Sequence, residues 1–325
     1  MTNEPRAGIE LLLTAPMARV AKALSTAPFK LHRLWEAKDQ DRFLAEVGPR
    51  IHGIAAGGHL TINAALTDRM PALEIIANFG VGYDRIDAHN AASKGLIVTN
   101  TPDVLNEEVA DLTLGLLLCT VRNLPQGDRF VREGRWTSSN FPLSSSLQQR
   151  TVGIVGLGRI GKAIAKRLDA FGVTVVYYGR SEQKDVQRRY YASLTGMAHD
   201  VDTIIVCAPG GKETENLVNA AVLEALGPNG ILINVARGSL VNEPELIAAL
   251  KKGTILAAGL DVFADEPRVP SELIALQNVV LLPHVGSASH LTRDAMGQLV
   301  ADNLISWFEG RGPITPVPET PYRKA

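Results

Sequence analysis

The segment 151–171 reads TVGIVGLGRIGKAIAKRLDAF and carries the clearest fold signal in the chain. The β-branched run Thr151–Val155 is typical of a buried strand, and Ile160–Phe171 has the spacing of an amphipathic helix that ends at Gly172. Gly156, Gly158 and Gly161 stand between them. In such a unit the first glycine permits a tight turn, the second lets the backbone approach a pyrophosphate, and the third lets the helix pack on the strand. This context predicts a dinucleotide site; an ordinary glycine-rich turn is the alternative.

Apolar runs of strand length continue beyond this unit, separated by spacers long enough for helices. This pattern is typical of parallel strands that are covered by helices on both faces. The predicted strands are Thr151–Val155, Val173–Tyr178, Thr203–Cys207, Ile231–Asn234, Leu256–Leu260 and Val279–Leu282. Six such strands complete one doubly wound domain.

A second αβ series precedes the first. Its predicted strands are Glu10–Leu13, Ile51–Ala55 and Glu74–Asn78, with predicted helices at Met17–Thr26 and Asp39–Val47. The fold class is therefore α/β, with two Rossmann-like parallel-sheet domains.

Two long helices are predicted outside these series. Pro102–Leu124 begins with Thr101 as its expected N-cap and Pro102 at its first position, and Ser289–Glu309 ends at Gly310. The stretch Pro125–Arg150 is too long for an ordinary connection and is expected to wrap over a partner subunit. The proline-rich segment from Arg311 is expected to be extended.

The composition narrows the class of protein. The chain has 325 residues, 33 Lys+Arg against 34 Asp+Glu, 46% hydrophobic residues and 21% charged residues. The net charge of -1 argues against a nucleic-acid or anionic membrane partner. Cys119 and Cys207 lie in apolar runs and are expected to be reduced core residues. Met1–Glu10 lacks a signal pattern, so a cytoplasmic location is expected.

The end of the second predicted strand of the glycine-loop domain bears on the cofactor. An NAD site usually places an acid there, about 20 residues beyond the glycines, to accept from the ribose 2′-hydroxyl. Here Tyr177-Tyr178-Gly179-Arg180-Ser181 contains none. A guanidinium and a hydroxyl suit a 2′-phosphate, so Arg180 and Ser181 favour NADPH, although a solvated surface arginine is the alternative.

Polar side chains follow three later strands. Arg237 comes after Ile231–Asn234, Glu266 follows Leu260-Asp261-Val262-Phe263, and His284 follows Val279–Leu282 and Pro283. Because carboxyl ends of parallel strands meet at one edge, these side chains can converge in a single crevice. Structural ion pairs at strand ends are an equal alternative. No CxxC, HExxH or GxSxG pattern occurs, so neither a metal site nor a serine nucleophile is predicted.

Four motifs together resemble the D-isomer-specific 2-hydroxyacid dehydrogenase family. They are Gly156–Gly161, Asn234–Gly238, Gly259–Phe263 with Glu266-Pro267, and Pro283–Ser287. Within the family the chain is most similar to the glyoxylate/hydroxypyruvate reductases, on Leu282–Ala288, Gly179–Ser181 and Asn78–Asp84. The resemblance implies a split substrate-binding domain, 1–101 with 288–325, into which a dinucleotide-binding domain, 102–287, is inserted. It also implies a homodimer. The segment Ser181–Thr195 is more charged than the resemblance leads us to expect.

The resemblance also implies residue roles. Arg237 would hold the carboxylate and keto oxygen of a 2-keto acid, His284 would protonate the keto oxygen, and Glu266 would orient His284 and favour its protonated form. The implied substrate-binding residues are Gly57, Gly58, Val81, Gly82, Arg237 and His284. The implied cofactor-binding residues are Gly156, Leu157, Gly158, Arg159, Ile160, Gly161, Arg180, Ser181, Ala208, Pro209, Thr214, Val235, Ala236, Arg237, Asp261, His284 and Gly286. For Asp261, a purely structural hydrogen-bond acceptor is an equal alternative.

The sequence thus predicts an NADPH-preferring reductase of small 2-keto acids, with glyoxylate or hydroxypyruvate first and NADH as a possible second cofactor. A 2-ketogluconate or aryl-pyruvate reductase on the same machinery is the alternative within the family. A non-catalytic nucleotide sensor, like the corepressors that share this fold, is the alternative from another class.

Overall fold

The chain divides into two compact units in the computed structural model, which describes residues 8–322. One unit comprises Met1–Leu105 with Ser289–Ala325, and the other comprises Asn106–Ala288. The domain boundaries predicted after residues 101 and 287 lie within a few residues of these limits. Residues 1–7, which belong to the stretch considered for a targeting signal, lie outside the described residues.

The first unit is built on a five-stranded parallel sheet of order β2-β1-β3-β4-β5. The strands are β1 Glu10–Leu13, β2 Lys30–Arg33, β3 Ile51–Ala56, β4 Ile75–Asn78 and β5 Ile97–Thr99. The helices of this part are α1 Ala18–Leu24, α2 Gln40–Val47, α3 Ala64–Thr67 and α4 Ala88–Ser93. Alternate strand residues enter different core clusters, Leu12 and Ile54 in one and Leu11 and Ala55 in the other, because successive side chains point to opposite faces.

The second unit has a seven-stranded parallel sheet of order β12-β11-β10-β9-β6-β7-β8. The strands are β6 Thr151–Val155, β7 Thr174–Tyr178, β8 Tyr190–Tyr191, β9 Thr203–Val206, β10 Ile231–Asn234, β11 Ala257–Leu260 and β12 Val279–Leu281. The helices are α5 Asn106–Arg122, α6 Leu124–Arg132, α7 Arg159–Asp169, α8 Leu194–Asp200, α9 Ala220–Leu226, α10 Glu243–Lys252 and α11 Ser271–Ile274. A separate apolar cluster packs on each face of the sheet. The α/β class with two parallel-sheet units is confirmed.

The start of helix α5 corrects one prediction. Thr101 does not cap the helix, because its buried hydroxyl oxygen accepts no hydrogen bond from the described residues. Asp103 has a left-handed φ of 69°, which breaks the helical path, and α5 begins only at Asn106. Helix α6 occupies the first part of the stretch Pro125–Arg150.

The remaining helix, α12 His290–Phe308, belongs to the first unit. The side chain of Ser289 accepts from the N–H of Thr292 at 3.2 Å and caps it. The following extended segment pairs with β5: Thr99 bridges Pro316 in antiparallel register, and the N–H of Val317 donates to Val98 at 2.9 Å. This segment therefore covers one edge of the five-stranded sheet.

Three further observations concern the residues that the structure describes. No helix between 8 and 322 is long and apolar enough to cross a membrane, and no three His, Cys, Asp or Glu side chains there form a group that could hold a metal. Cys119 and Cys207 are free thiols packed against the core. Burial raises the pKa of both, that of Cys207 to about 12.

Candidate active site

The glycine loop joins β6 to α7 and has the space that a dinucleotide needs. Gly156 has a φ of 94°, and a Cβ there would lie 2.7 Å from the Cα of Ala208. A Cβ at Gly161 would overlap the carbonyl oxygen of Gly156. At Gly158, by contrast, a Cβ would meet no atom within 4 Å. The glycines at 156 and 161 thus serve close packing of the protein itself, while Gly158 leaves open space.

The start of α7 supplies donors to that open space. Gly158 precedes the helix in an extended conformation, and the first helical bond runs from Lys162 N–H to its carbonyl at 2.9 Å. The N–H groups of Arg159, Ile160 and Gly161 therefore belong to the first turn, which has no intrahelical acceptors for them. A helix N-terminus of this kind attracts a phosphate. The residues present fit the pyrophosphate of a dinucleotide.

Arg180 and Ser181 follow β7 after one intervening residue, Gly179, and both side chains are exposed. The carbonyl of Gly179, just before them, accepts from the Tyr190 hydroxyl at 3.2 Å. The next acidic residue along the chain is Glu182, which is also exposed. The strand end thus presents a guanidinium and a hydroxyl, as the sequence predicts.

Glu266 and His284 form the central pair of the candidate site. The Nδ1 atom of His284 lies 2.8 Å from Oε2 of Glu266, while Oε1 of Glu266 accepts from the N–H of Phe263 at 3.1 Å. The imidazole is 46% exposed and the carboxylate only 13%. Because Nδ1 faces Glu266, Nε2 on the other side of the ring is the atom that can reach a ligand.

The electrostatics of this pair depend on three side chains. Burial raises the pKa of Glu266, but the hydrogen bond and charge of His284, the Phe263 N–H and the charge of Arg237 together hold it below its ordinary value. Glu266 is therefore ionised at neutral pH. An ionised carboxylate at Nδ1 stabilises the protonated imidazole.

Arg237 follows β10, as expected, and its backbone is held by a residue to which sequence reasoning gave no role. The side chain of Asn234 accepts from the N–H of Ala236 at 3.1 Å and donates to the carbonyl of Arg237 at 2.9 Å. Asn234 is buried, so its amide fixes the turn from inside. Nη1 of Arg237 donates to the carbonyl of Ala236 at 2.7 Å. An asparagine at a strand end, just before the arginine, was the available signal.

Asp261 is bound to the turn that carries His284. Its carboxylate accepts from the N–H groups of Val285 and Gly286, at 2.7 and 2.8 Å, and its carbonyl accepts from the N–H of His284 at 2.8 Å. It is 1% exposed. Burial raises its pKa, which the amide bonds only partly offset. These contacts support the alternative interpretation, an acceptor that shapes the turn carrying His284 at a φ of 54°.

The other expected cofactor residues lie at the carboxyl ends of β9 and β10. Ala208 packs against Gly156, and Val235 donates its N–H to Val206 at 3.2 Å. The hydroxyl of Thr214 donates to the carbonyl of Pro209 at 2.8 Å, so it closes its own loop. These residues line the same sheet end as the glycine loop.

The expected substrate-binding glycines lie in the first unit. The N–H of Gly57 donates to the Thr14 hydroxyl at 2.8 Å, and Gly58 has a φ of 72°. In the second loop, Nδ2 of Asn78 donates to the carbonyls of Gly80 and Gly82, each at 3.0 Å. Nδ2 of Asn100 donates to the carbonyl of Val81 at 2.9 Å. Asn78 and Asn100, to which sequence reasoning assigned no role, thus fix the carbonyls of this loop.

Known proteins match this chain over most of its length. The model of the D-isomer specific 2-hydroxyacid dehydrogenase NAD binding domain matches residues 114–286. Glyoxylate/hydroxypyruvate reductase A of Arabidopsis thaliana is 43% identical over 309 residues, covering 95% of this chain and 99% of that protein. Hydroxyphenylpyruvate reductase of Plectranthus scutellarioides is 42% identical over 309 residues, with the same coverage.

A solved structure is also similar over nearly the whole chain. It is an NADPH-dependent glyoxylate/hydroxypyruvate reductase from Sinorhizobium meliloti in complex with NADP and malonate. The two chains are 50% identical with a TM-score of 0.93, and the match covers 98% of this chain and 99% of the other. The chain therefore belongs to the D-isomer-specific 2-hydroxyacid dehydrogenase family.

Proposed function

We propose that this enzyme is an NADPH-preferring reductase that converts glyoxylate or hydroxypyruvate into the corresponding 2-hydroxy acid, of D configuration where C2 becomes chiral. The observation that carries the proposal is the 2.8 Å contact between Glu266 and the exposed imidazole of His284. The charge of Arg237 helps to keep Glu266 ionised. A buried carboxylate hydrogen-bonded to one ring nitrogen of an exposed imidazole is an arrangement suited to general acid catalysis by the other nitrogen.

The residues divide the work as follows. A bound nicotinamide supplies the hydride that adds to C2 of the keto acid. His284 donates a proton from Nε2 to the keto oxygen, and Glu266 stabilises the imidazole before that transfer. Arg237 binds the planar keto acid through its guanidinium, which can donate two parallel hydrogen bonds to it. The reaction then yields a neutral imidazole and a 2-hydroxy acid.

Cofactor preference rests on the end of β7. Arg180 and Ser181 can both donate to a 2′-phosphate, and no acid between Tyr177 and Ser181 would repel it. The 50% identical relative is described as NADPH-dependent, which supports the same preference here.

Backbone amides of the first unit complete the proposal. We assign the N–H groups of Val81 and Gly82 to the substrate carboxylate, together with that of Gly58. The N–H of Gly57 is donated to the Thr14 hydroxyl, so Gly57 contributes only to the shape of its loop. The bonds from Asn78 and Asn100 support the assignment of Val81 and Gly82, because they hold the carbonyls of the same loop and leave its amides for a ligand. A homodimer and a cytoplasmic location stay predictions. Trp136 and Leu143, 67% and 100% exposed, are the side chains we expect a second copy to cover.

A second candidate is an aryl-pyruvate reductase, favoured by the 42% identity to a hydroxyphenylpyruvate reductase. Both candidates use the same three side chains, so the substrate pocket decides between them. A 2-ketogluconate reductase would also use these three side chains and differ in its substrate pocket.

One assay tests the proposal and its alternatives. NADPH and NADH oxidation is followed with glyoxylate, hydroxypyruvate, 4-hydroxyphenylpyruvate and 2-ketogluconate as substrates. We expect the highest kcat/KM with NADPH and one of the two small keto acids. A higher value with the aryl or sugar acid would transfer the assignment to that substrate. No turnover with any of them would favour a nucleotide sensor.

A further inference from the structure

The unexpectedly charged segment Glu182–Arg189 lies along helix α7. Lys162 Nζ of the helix lies 3.2 Å from Oδ2 of Asp185, and Asp169 Oδ2 lies 2.7 Å from Nη2 of Arg188. A groove of about 430 Å³ runs between helix and segment. Two charged residues of the segment, Asp185 and Arg188, thus form ion pairs with oppositely charged residues of α7.

Gln183 connects this segment to the glycine loop. Its Nε2 donates to the carbonyl of Leu157 at 2.7 Å, and its own N–H donates to the Tyr177 hydroxyl at 2.8 Å. Leu157 stands between Gly156 and Gly158, in the loop that fits a pyrophosphate. Tyr177 is 1% exposed, so the hydroxyl that receives the Gln183 N–H is fixed by the core.

Arg180 and Ser181 therefore lie between two anchors. On one side, the carbonyl of Gly179 accepts from the Tyr190 hydroxyl at 3.2 Å. On the other side, Gln183 is held twice, two residues beyond Ser181. The hydrogen bonds that these two side chains could donate to a 2′-phosphate depend on distance and angle. Movement of their short loop would therefore weaken recognition of the phosphate. The anchors limit that movement.

We propose that Gln183 is a positioning residue for cofactor discrimination: it fixes the loop of Arg180 and Ser181 relative to the glycine loop, and so sets the preference for a 2′-phosphate. The inference rests on the proposed NADPH preference. The glycine loop itself has other supports, since the N–H of Gly156 donates to Tyr178 at 2.9 Å and Cys207 Sγ donates to the carbonyl of Gly156 at 3.0 Å. Loss of Gln183 should therefore weaken 2′-phosphate recognition and leave pyrophosphate binding in place.

The test uses two cofactor fragments and the full chain. Calorimetry measures the Kd of 2′,5′-ADP, which carries the 2′-phosphate, and of 5′-AMP, which lacks it. Gln183→Met keeps an unbranched side chain of similar length and removes the donor. Gln187→Met, an exposed glutamine of the same segment, is the matched control. Tyr177→Phe removes the hydroxyl that accepts from the Gln183 backbone and keeps the buried ring.

We expect Gln183→Met to weaken 2′,5′-ADP binding about five- to tenfold, as the loss of one net hydrogen bond predicts, with the Kd of 5′-AMP within about twofold of the parent. Tyr177→Phe should act in the same direction, and Gln187→Met should change neither Kd. The retained 5′-AMP affinity shows that the variant is folded.

Two results would overturn the inference alone: an unchanged Kd for 2′,5′-ADP in Gln183→Met, or an equal loss for both fragments. An unmodified enzyme that binds 2′,5′-ADP no more tightly than 5′-AMP would refute the NADPH preference, and the role of Gln183 with it. Because the fragments need no keto acid, the test is independent of the substrate assignment.

Discussion

The two units use the ends of parallel strands in different ways. In the unit of residues 106–288, the strand ends carry Arg237, Glu266 and His284, whose side chains can act on a ligand directly. In the unit of residues 1–105 with 289–325, Asn78 ends β4 and Asn100 follows β5, and their side chains donate to backbone carbonyls. One sheet thus presents side chains, and the other presents a shaped backbone. Substitutions in the two units should therefore have different effects. Substitutions of the side chains in the unit 106–288 should lower the rate of the reaction, and substitutions that disturb the backbone loops of the other unit should lower the affinity for the substrate.

Removal of the proposed acid should have the largest effect. His284→Ala is expected to lower kcat for keto-acid reduction by about 10²–10⁴, the usual contribution of a general acid. The Kd of NADPH should stay near that of the parent. His199→Ala, which alters a histidine 82% exposed in the same unit, should leave both quantities unchanged. Near-parental turnover in His284→Ala would exclude the assignment.

Arg237→Lys tests whether the planar shape of the guanidinium matters in addition to its charge. Lysine keeps the positive charge and loses the planar fork, so we expect kcat/KM for glyoxylate to fall about 10–150-fold, the equivalent of one charge-assisted hydrogen bond of about 1.5–3 kcal/mol. Steady-state kinetics with saturating NADPH measure it. A fall below threefold would mean that Arg237 binds no planar ligand.

Asn78→Asp tests the role of the backbone loop in the unit of residues 1–105 with 289–325. The aspartate has the same size but cannot donate to the carbonyls of Gly80 and Gly82, so the loop should lose its shape. We expect KM for the keto acid to rise about tenfold, for a net loss of about 1.4 kcal/mol, with kcat and the Kd of NADPH changed less than about twofold. Asn90→Asp, on α4 of the same unit, is the control. An equal fall in kcat would contradict the division between the two units.

The smallest effect is expected from Glu266→Gln and concerns pH. The pKa of Glu266 is held below its ordinary value, so the residue is ionised at neutral pH and lies against Nδ1 of His284. Glutamine keeps the shape of this side chain and removes its charge. Keto-acid reduction by Glu266→Gln should therefore retreat toward acid pH, which the pH profile of kcat/KM measures. Glu272→Gln, at an exposed position, should keep the parental pH profile. An unchanged profile in Glu266→Gln would show that Glu266 does not act on His284.

Sequence patterns predicted six strands of the second unit well, including the edge strand β12, but missed the other short edge strands. The six strands predicted in the second unit begin and end within one residue of the observed limits, because buried β-branched runs have one stable outcome. The short edge strands β2, β5 and β8 were not predicted. In β2, Lys30 and Arg33 are exposed and carry no continuous apolar signal. Pairing at an edge depends on the neighbouring strand more than on the local sequence.

The candidate site shows the same limit. Arg237, Glu266 and His284 could be predicted because the carboxyl ends of parallel strands lie at one edge. The contacts of Asn78, Asn100, Asn234 and Gln183 could not, since a side-chain amide that binds a distant carbonyl has no sequence period. Asp261 is a similar case: its position in a motif does not indicate the two N–H groups from which its carboxylate accepts hydrogen bonds.

The segment that pairs with β5 has a consequence for behaviour in solution. An uncovered edge strand offers unpaired N–H and C=O groups to other chains and is a starting point for aggregation. Here the Thr99–Pro316 bridge, the Val317–Val98 bond and the 2% exposure of Val317 close that edge from within the same chain. Removal of the residues after Gly312 would open it. The segment therefore acts as a built-in guard against self-association, and an affinity tag is better placed away from it.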